Sequence, residues 1–540
     1  MIPTAAVPEQ FSEEERRLLE PFFTNTDSHV FALTNLPETV KGALFARYSR
    51  SAKSLRRLFL DEFAGNLAGV RPDVSSVGVE RAERLYAKVF SEYGDDSVAQ
   101  LGGAHVACEY VSNVLTKVLE WGRLMAYLEQ STRYVPYTDK LHGRWRYHVP
   151  AEVEGGLRDR YVSVMDRAFE TYASLIDGMQ QHFAARYPRA AQDSEGVHRA
   201  AIRAKALDTL RGMLPAATQS NVGLYGTGQA YEALLLRMGA HPLAEVRQCG
   251  EQMLAELRRI VPAFLTRVDQ PDRGGRWTEY LAATRRATAA VAGELLADLD
   301  PQPRDEVTLA DFDPDGEVKI VAGALYAVSD LPDDQLLSAA RAMTTDERAM
   351  VLRAYVGDRG NRRHRPGRAF ERTTYRFDVL TDYGAFRDLQ RHRMLTLEWQ
   401  PLSTRHGYNE PDALGEAGVL DAWTRVMDAS AGLYEALRSA GLDAAAPYAV
   451  AMAYRVRFYM EMNAREAMHV IELRTAPQGH PAYRRVCQQM HRLIAERAGH
   501  AAVAAAMKFV DHSEVELERL KAERELERRR TAPTADHKGH

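Results

Sequence analysis

The feature that most constrains this chain is that it repeats itself. GALFARYS at residues 42–49 resembles AGALYAVS at 322–329. EQSTRYVPY at 129–137 resembles PLSTRHGYNEP at 401–411, which sets Ser131-Thr132-Arg133 on Ser403-Thr404-Arg405. LLLRMGAHPLAEVR at 234–247 resembles IELRTAPQGHPAYRRV at 471–486, which sets Arg237 on Arg474. The three matches keep one order in both halves while the spacing between them changes, as loops of different length require. A chain of 540 residues is also too long for one ordinary core. The sequence therefore predicts two tandem copies of one folding unit, over residues 30–265 and 318–510. An N-terminal extension (1–29) precedes them, a connecting segment (266–317) joins them, and a charged tail (511–540) follows.

Patterning within the copies predicts an α+β fold, helix-rich, with a small mixed or antiparallel sheet in each copy. Residues 98–128 carry Val106, Tyr110, Val114, Val118 and Met125 mostly three to four apart, the spacing of one buried helical face. Residues 208–237 and 448–474 also read as helical. Short β-like runs fall at 30–34, 146–149 and 318–327. The stretch DPQPRDEVTLADFDPDGE (300–317) is acidic and contains prolines, which suits a linker. From Glu514 the sequence EVELERLKAERELERRR predicts an exposed helix with Glu–Arg pairs four apart, and the final TAPTADHKGH reads as disordered.

Composition narrows the function classes. A formal net charge of −4 argues against a general nucleic-acid or membrane-surface binder. Cys108, Cys249 and Cys487 stand far apart in sequence with no zinc spacing, which points to a reducing compartment without disulfides or structural zinc. No basic start leads into an apolar run, and no stretch of roughly 18 apolar residues exists. A cytoplasmic protein with no membrane span is the expectation.

Two segments concentrate the chemistry. QRHRMLTLEWQPLSTRHGY (390–408) sets Arg391, His392 and Arg393 ahead of Ser403 and Arg405. Arginine forks grip phosphate bidentately and hydroxyls complete such a cradle, whereas the plainer reading is a solvated charged turn. MEMNAREAMHVIELRT (460–475) reads as one helix on which Asn463 and Arg474, three turns apart, share a face; Met462, Met468 and Ile471 read as core. Surface placement is the plainer reading of that pair. The most basic run, DRGNRRHRPGR (358–368), reads as a mobile solvated loop ahead of a polyphosphate seat. Gly226-Thr227-Gly228 lacks a third glycine and reads as a helix start or bend rather than a dinucleotide loop. Tyr134 and Tyr137 read as packed ahead of stacked on a ligand. Asp95-Asp96 and Glu13-Glu14-Glu15 read as exposed faces.

Taken together, these segments resemble the flavin-dependent thymidylate synthase (ThyX) family. Its signature is Arg-His-Arg, seven residues, and Ser continuing into x-Arg-Tyr, followed by a helix with Asn-Ala-Arg, a further Asn and Leu-Arg. The second copy matches with Arg391-His392-Arg393, Asn463-Ala464-Arg465 and Leu473-Arg474. It departs with nine residues before Ser403 and with His469 at the further Asn. The first copy has Trp121-Gly122-Arg123, seven residues, and Ser131-Thr132-Arg133-Tyr134. Its Asn-Ala-Arg positions read Gly226-Thr227-Gly228, and its further Asn is Glu232. The family's upstream Glu-His pair reads Gln100-Leu101 and Glu371-Arg372.

The resemblance implies methylation of dUMP to dTMP with FAD, with methylenetetrahydrofolate as carbon donor and NADPH as reductant. No protein nucleophile and no metal are called for. It implies that Arg391, His392 and Arg393 are catalytic. Ser131, Arg133, Arg237, Ser403, Arg405, Arg465 and Arg474 would bind dUMP. Arg123, Arg391, Arg393, Asn463 and His469 would hold the flavin. Family enzymes are homotetramers with sites between subunits, so a tandem chain implies a homodimer that imitates the tetramer. One site would then draw Arg-His-Arg from one copy and Ser-x-Arg-Tyr from the other. The lost motif residues leave open a paralogue that binds nucleotide without turnover, and a flavin enzyme acting on RNA uridine.

Overall fold

The computed structural model describes residues 9–28, 31–48, 51, 53–64, 100–133 and 135–531. Asp95-Asp96, Tyr134, Ser49, Val30 and the tail beyond Thr531 lie outside the described residues. Two compact units account for the chain, and neither is one continuous stretch. The first gathers Met1–Glu109, Val118–Glu129 and Asn221–Leu299; the second gathers Tyr110–Lys117, Gln130–Ser220 and Asp300–His540. The second unit thus contains much of the first sequence copy.

The first unit is built on a three-stranded sheet of order β1-β3-β2, from β1 (Gly103–Ser112), β2 (Met125–Glu129) and β3 (Gln219–Thr227). β2 runs antiparallel to β3, with Met125 opposite Gly226 and Glu129 opposite Val222. β3 ends at Thr227, whose hydroxyl accepts from Ala230 N at 3.3 Å and opens the helix Gly228–Gly239. The glycine after that cap is a packing requirement, because a Cβ on Gly228 would lie 2.6 Å from Phe264 Cβ. Gly226-Thr227-Gly228 is therefore a helix start, as the sequence predicts, but a strand that the sequence reading did not place leads directly into it.

The second unit holds a four-stranded antiparallel sheet of order β4-β5-β7-β6. Its strands are β4 (Val307–Phe312), β5 (Thr374–Asp382), β6 (Thr396–Trp399) and β7 (Arg455–Asn463). Thr374 faces Asn463 and Asp382 faces Arg455 across β5–β7, and Thr396 faces Glu461 across β6–β7. The register follows the side-chain period of two: Tyr375, Phe377 and Val379 on β5 and Val456, Phe458, Met460 and Met462 on β7 all turn inward. The helices that matter below are α1 (Gly155–Arg186), α2 (Glu195–Leu210), α3 (Gly316–Tyr326), α4 (Tyr383–Leu389), α5 (Leu420–Ser439), α6 (Ala464–Arg474) and α7 (Pro481–Glu496). α1 packs on α2 and on α5. Residues of the two sequence copies pair directly inside this unit. Ala453 N donates to Gly212 O, Met452 N to Leu214 O and Ala216 N to Val450 O, at 2.8–2.9 Å.

Both units repeat one local device: a strand, a capped helix start, and an antiparallel neighbour strand that begins just after the Arg-His-Arg position. Asn463 caps α6 as Thr227 caps its helix, with Asn463 Oδ1 accepting from Glu466 N at 2.9 Å.

Several sequence expectations require correction. Among the described residues of the range 98–128 there is no long helix but β1, the short helix Asn113–Leu119 and β2. Residues 208–237 and 448–474 each contain a strand that runs directly into a helix. No Pro or Gly breaks the apolar run between β7 and α6, so one helix is what the periodicity offers. Residues 318–327 belong to α3, not to a strand. The stretch 300–317 is not all linker, because Val307–Phe312 pairs with β5. Among the described residues, 31–34 and 146–149 supply only isolated bridges, Phe23–Leu33 and Tyr147–Thr218. The tail helix Leu520–Thr531 forms as expected, but Arg524 ties it to Asp193 at the start of α2.

Candidate functional site

The site centres on Asp388, near the end of α4. Its carboxylate is buried and meets Arg391 at hydrogen-bond distance, Arg474 Nη1 at 3.6 Å and Arg211 Nη1 at 3.8 Å. Burial alone would raise the Asp388 pKa. Arg391, Arg474, Arg211 and Arg133 overcome it and hold the carboxyl well below its usual range. At ~4 Å and an effective dielectric of ~20, one such pairing is worth about 4 kcal/mol before desolvation, so several together outweigh the burial penalty.

Arg474 does more than balance charge. Its Nε donates to His392 Nε2 at 2.9 Å, its Nη2 donates to the Asp388 carbonyl, and its guanidinium lies 5.4 Å over the Tyr483 ring. Arg133, from the first copy, reaches the same tyrosine: Nη1 donates to Tyr483 Oη at 3.2 Å. Its fork grips Asp208 on α2, with Nε–Oδ1 at 2.8 Å and Nη2–Oδ2 at 2.6 Å. Arginines of both sequence copies therefore converge on Asp388 and Tyr483 within one compact unit.

A second layer surrounds His392. His392, Glu466 and His469 place their ligand-type atoms within 4.8 Å of one another, a grouping that sequence reading did not identify. Its surroundings suit an anion better than a cation. Arg474 donates to Nε2 of His392 and Arg365 reaches Nδ1 of His469 at 2.8 Å. An arginine always donates, so the remaining ring nitrogens carry the protons and are donors rather than metal ligands. Burial, together with nearby guanidiniums, keeps both rings neutral, His469 falling to about 4 and His392 well below its usual value.

Glu466 is pushed up to about 7 by burial, against the pull of Arg365, Arg465 and Arg393. The raised carboxyl gives a pH signature with a definite sign. Its stabilising protonation is complete below an unfolded value near 4.5 and is lost as pH rises through about 7. The stability difference between the native chain and Glu466→Gln is expected to fall by about 3 kcal/mol as pH rises from 4.5 to 8. Histidines remote from residue 466 act alike in both proteins and cancel in the difference, which reports Glu466 together with His392, 3.8 Å from it. Denaturant titrations of both chains across that range check it; a flat difference would reject the buried-acid assignment.

The structure distributes the remaining sequence-selected residues as follows. Ser131 and Ser403 form the same turn in the two copies, each hydroxyl accepting from the backbone N two residues on, at 3.2 and 3.4 Å. Their arginines diverge: Arg133 is largely buried on Asp208, while Arg405 is exposed and acts electrostatically on His406 and Tyr434. Arg393 is exposed and influences Glu466. Arg465 donates to Pro366 O at 2.9 Å and lies 3.5 Å from Glu371. Asn463 spends its side-chain oxygen on the α6 cap. In the first unit, Arg237 stacks over Trp121 at 5.5 Å and Arg123 is exposed.

The remaining expectations are in part changed and in part met. The run 358–368 is not simply solvated, because Arg359 is buried against Glu472 at 2.6 Å. Cys108 and Cys249, distant in sequence, share a side-chain hydrogen bond in the first unit. Tyr137 is fully buried, with Arg146 over its ring at 4.6 Å. Among the described residues no helix is long and apolar enough to cross a membrane.

Sequence reading missed Arg211, Asp388, Asp208 and Tyr483. Arg211 stands alone in the apolar run TLRGMLPAA, and a lone charge in such a run was the available signal. It is held where Trp423 closes over Gly212, since a Cβ there would lie 2.5 Å from the indole. Its Nη2 is buried without a hydrogen-bond partner. A cavity of about 500 Å³ adjoins this arginine, lined by Asp208, Arg211, Asp382, Arg455, His480 and Arg485 among others, but by none of Arg391–Arg393, Ser403, Arg405 or Arg474.

Comparison with known proteins agrees with the duplicated geometry. A "UPF0159 protein" of Chlamydia muridarum is 38% identical over 95% of this chain and 98% of its own length. A "UPF0159 protein" of Chlamydia pneumoniae is 36% identical over the same shares. A flavin-dependent thymidylate synthase of Clostridium tetani is 23% identical over 36% of this chain and 73% of its own. A solved UMP/dUMP methylase, PolB from Streptomyces cacaoi bound with 5-Br dUMP, aligns over 37% of this chain and 94% of that one, at 20% identity and a TM-score of 0.31. The family model described as "Thymidylate synthase complementing protein" matches twice, at residues 43–263 and 309–498. The chain therefore belongs to the thymidylate synthase complementing protein (ThyX) family, as two tandem ThyX-like units.

Proposed function

We propose that the chain methylates dUMP to dTMP, with the nucleotide held by the arginines around Asp388. The observation that carries this reading is that guanidiniums of both sequence copies meet at one buried point, as a site shared between copies requires. Arg133, Arg391 and Arg474 would bind and orient the nucleotide. Ser131 and Ser403 set the turns that aim their arginines. Arg237, Arg405 and Arg465 are not among the arginines that act on Asp388, so on this reading they support the fold or a second site.

The donor set beside His392 fits a flavin. Two neutral imidazole N–H groups, one buried and one half-buried, suit ring carbonyls, and Arg365, Arg393 and Arg465 suit a diphosphate. FAD would be held there by His392, His469 and Arg393 and would supply the reducing equivalents. NADPH and methylenetetrahydrofolate complete the reaction as co-substrates, and a homodimer is the assembly. The protein's own part is to orient the pyrimidine, exclude water and keep His392 neutral.

A second reading, nucleotide binding without turnover, draws on the commitment of Asn463 to a helix cap and of Arg133 to Asp208. Expression in a thymidine-requiring strain separates the two. Growth without thymidine, together with an oxidised-flavin absorbance band in the purified protein, is the expected result. A colourless protein that binds dUMP and fails to support growth establishes the second reading instead.

A further inference from the structure

The arginine cluster already contains an anion. Asp388 sits among Arg391, Arg474 and Arg211 at or within 3.8 Å, with Arg133 acting on it from its fork on Asp208. These are guanidiniums that phosphate recognition would use, and two buried carboxylates of the same chain occupy them. The charge balance is not closed. Four arginines face Asp388 and Asp208, the buried His392 and His480 stay neutral, and Asp382, the third carboxyl beside Arg211, is pushed by burial toward its neutral form, so arginines outnumber the carboxylates. Arg211 still has a buried Nη2 with no partner, next to the cavity. An anion is thus attracted to the cluster, but it competes with a carboxylate already in place.

We propose that Asp388 sets the anion affinity of this site: its carboxylate holds the seat of a ligand phosphate among Arg211, Arg391 and Arg474, and a nucleotide phosphate binds by displacing it. The proposal rests on the nucleotide reading of the site and adds a specificity-determining residue to it. Selection on this basis acts on the phosphate and not on the base. A nucleoside without phosphate has no reason to respond to the residue at 388. The bland alternative is that Asp388 is a permanent counter-ion with no ligand to compete against.

Asp388→Asn keeps the shape and removes the charge. Binding of inorganic phosphate, dUMP and deoxyuridine to native and Asp388→Asn protein is measured by calorimetry at low salt. Phosphate and dUMP are expected to bind the variant at least tenfold tighter, with deoxyuridine unchanged. The thermal midpoint of the variant is expected to drop in phosphate-free buffer and to recover with phosphate but not with chloride of equal ionic strength. A folded variant that binds phosphate and dUMP no tighter than the native chain overturns the proposal. If the native chain binds dUMP and the variant binds it more weakly, the proposal falls while the nucleotide reading stands. If phosphate affinity rises but neither protein binds dUMP, the proposal stands and the nucleotide reading falls. Should the variant not fold alone, refolding in phosphate is the readout: phosphate-dependent folding supports the proposal, and phosphate-indifferent misfolding overturns it.

Discussion

Arg359→Ala is expected to destabilise the second unit by about 3–5 kcal/mol, the usual cost of removing one partner of a buried ion pair. Arg359 and Glu472 are each 1% exposed at their side chains and meet through two contacts, Nη1–Oε1 at 2.7 Å and Nη2–Oε2 at 2.6 Å. Arg359 also donates to the Ala506 and His364 carbonyls, and Glu472 accepts from Phe509 N at 3.3 Å. Alanine leaves Glu472 charged and buried with one backbone donor, so the loss is mostly desolvation without compensation. Urea titration reads it as a lower midpoint at unchanged slope. Arg359→Met combined with Glu472→Leu should recover much of the stability, since neither charge then remains stranded. A loss below ~1 kcal/mol in the single variant would mean that Glu472 reaches water and that the pair is not sealed.

The second large effect is on binding. Arg474→Ala is expected to weaken dUMP binding by about 1.5–3 kcal/mol, the scale of a lost charged hydrogen bond. Arg474 touches Asp388, His392 and Tyr483 together, so its loss removes a charge and releases the orientation of a ring. Arg405→Ala is the internal comparison. Arg405 follows the same Ser-x-Arg turn as Arg133 but is exposed and is not among the arginines that act on Asp388, so its effect should stay within about 0.5 kcal/mol. Calorimetric titration of both variants with dUMP tests the contrast. An Arg405 effect equal to or larger than that of Arg474 would move the nucleotide away from Asp388.

The duplication was legible because its markers are local. Ser-x-Arg turns and capped helix starts depend on a few consecutive residues, and these survive in both copies. Secondary structure was less legible where a strand feeds a helix directly. Val456, Phe458, Met460 and Met462 alternate with period two, then Met468 and Ile471 continue the apolar run on α6, and the change of period carries no Gly or Pro mark. The site was legible in part. Arg133, Arg391, His392 and Arg474 carry motif spacing, whereas Asp388 and Tyr483 stand near the motifs without belonging to them, and Arg211 comes to the site through the pairing of segments 212–216 and 450–453. That pairing is long-range, and nothing in either segment announces its partner. Arg405 and Arg465 show the converse, since a motif position fixes the local turn or helix but not what the side chain meets.

The discontinuous make-up of the units bears on synthesis. Residues 130–220 emerge early, yet the sheet and helices that complete their compact unit lie beyond residue 300. Leu214 and Gly212 must wait for Met452 and Ala453, and Arg133 must wait for Tyr483. A ribosome that stalls between the two sequence copies would release a chain with an unfinished core. Cutting the gene at the repeat boundary would likewise part residues 130–220 from the rest of their compact unit, so two separately complete units are not expected from it.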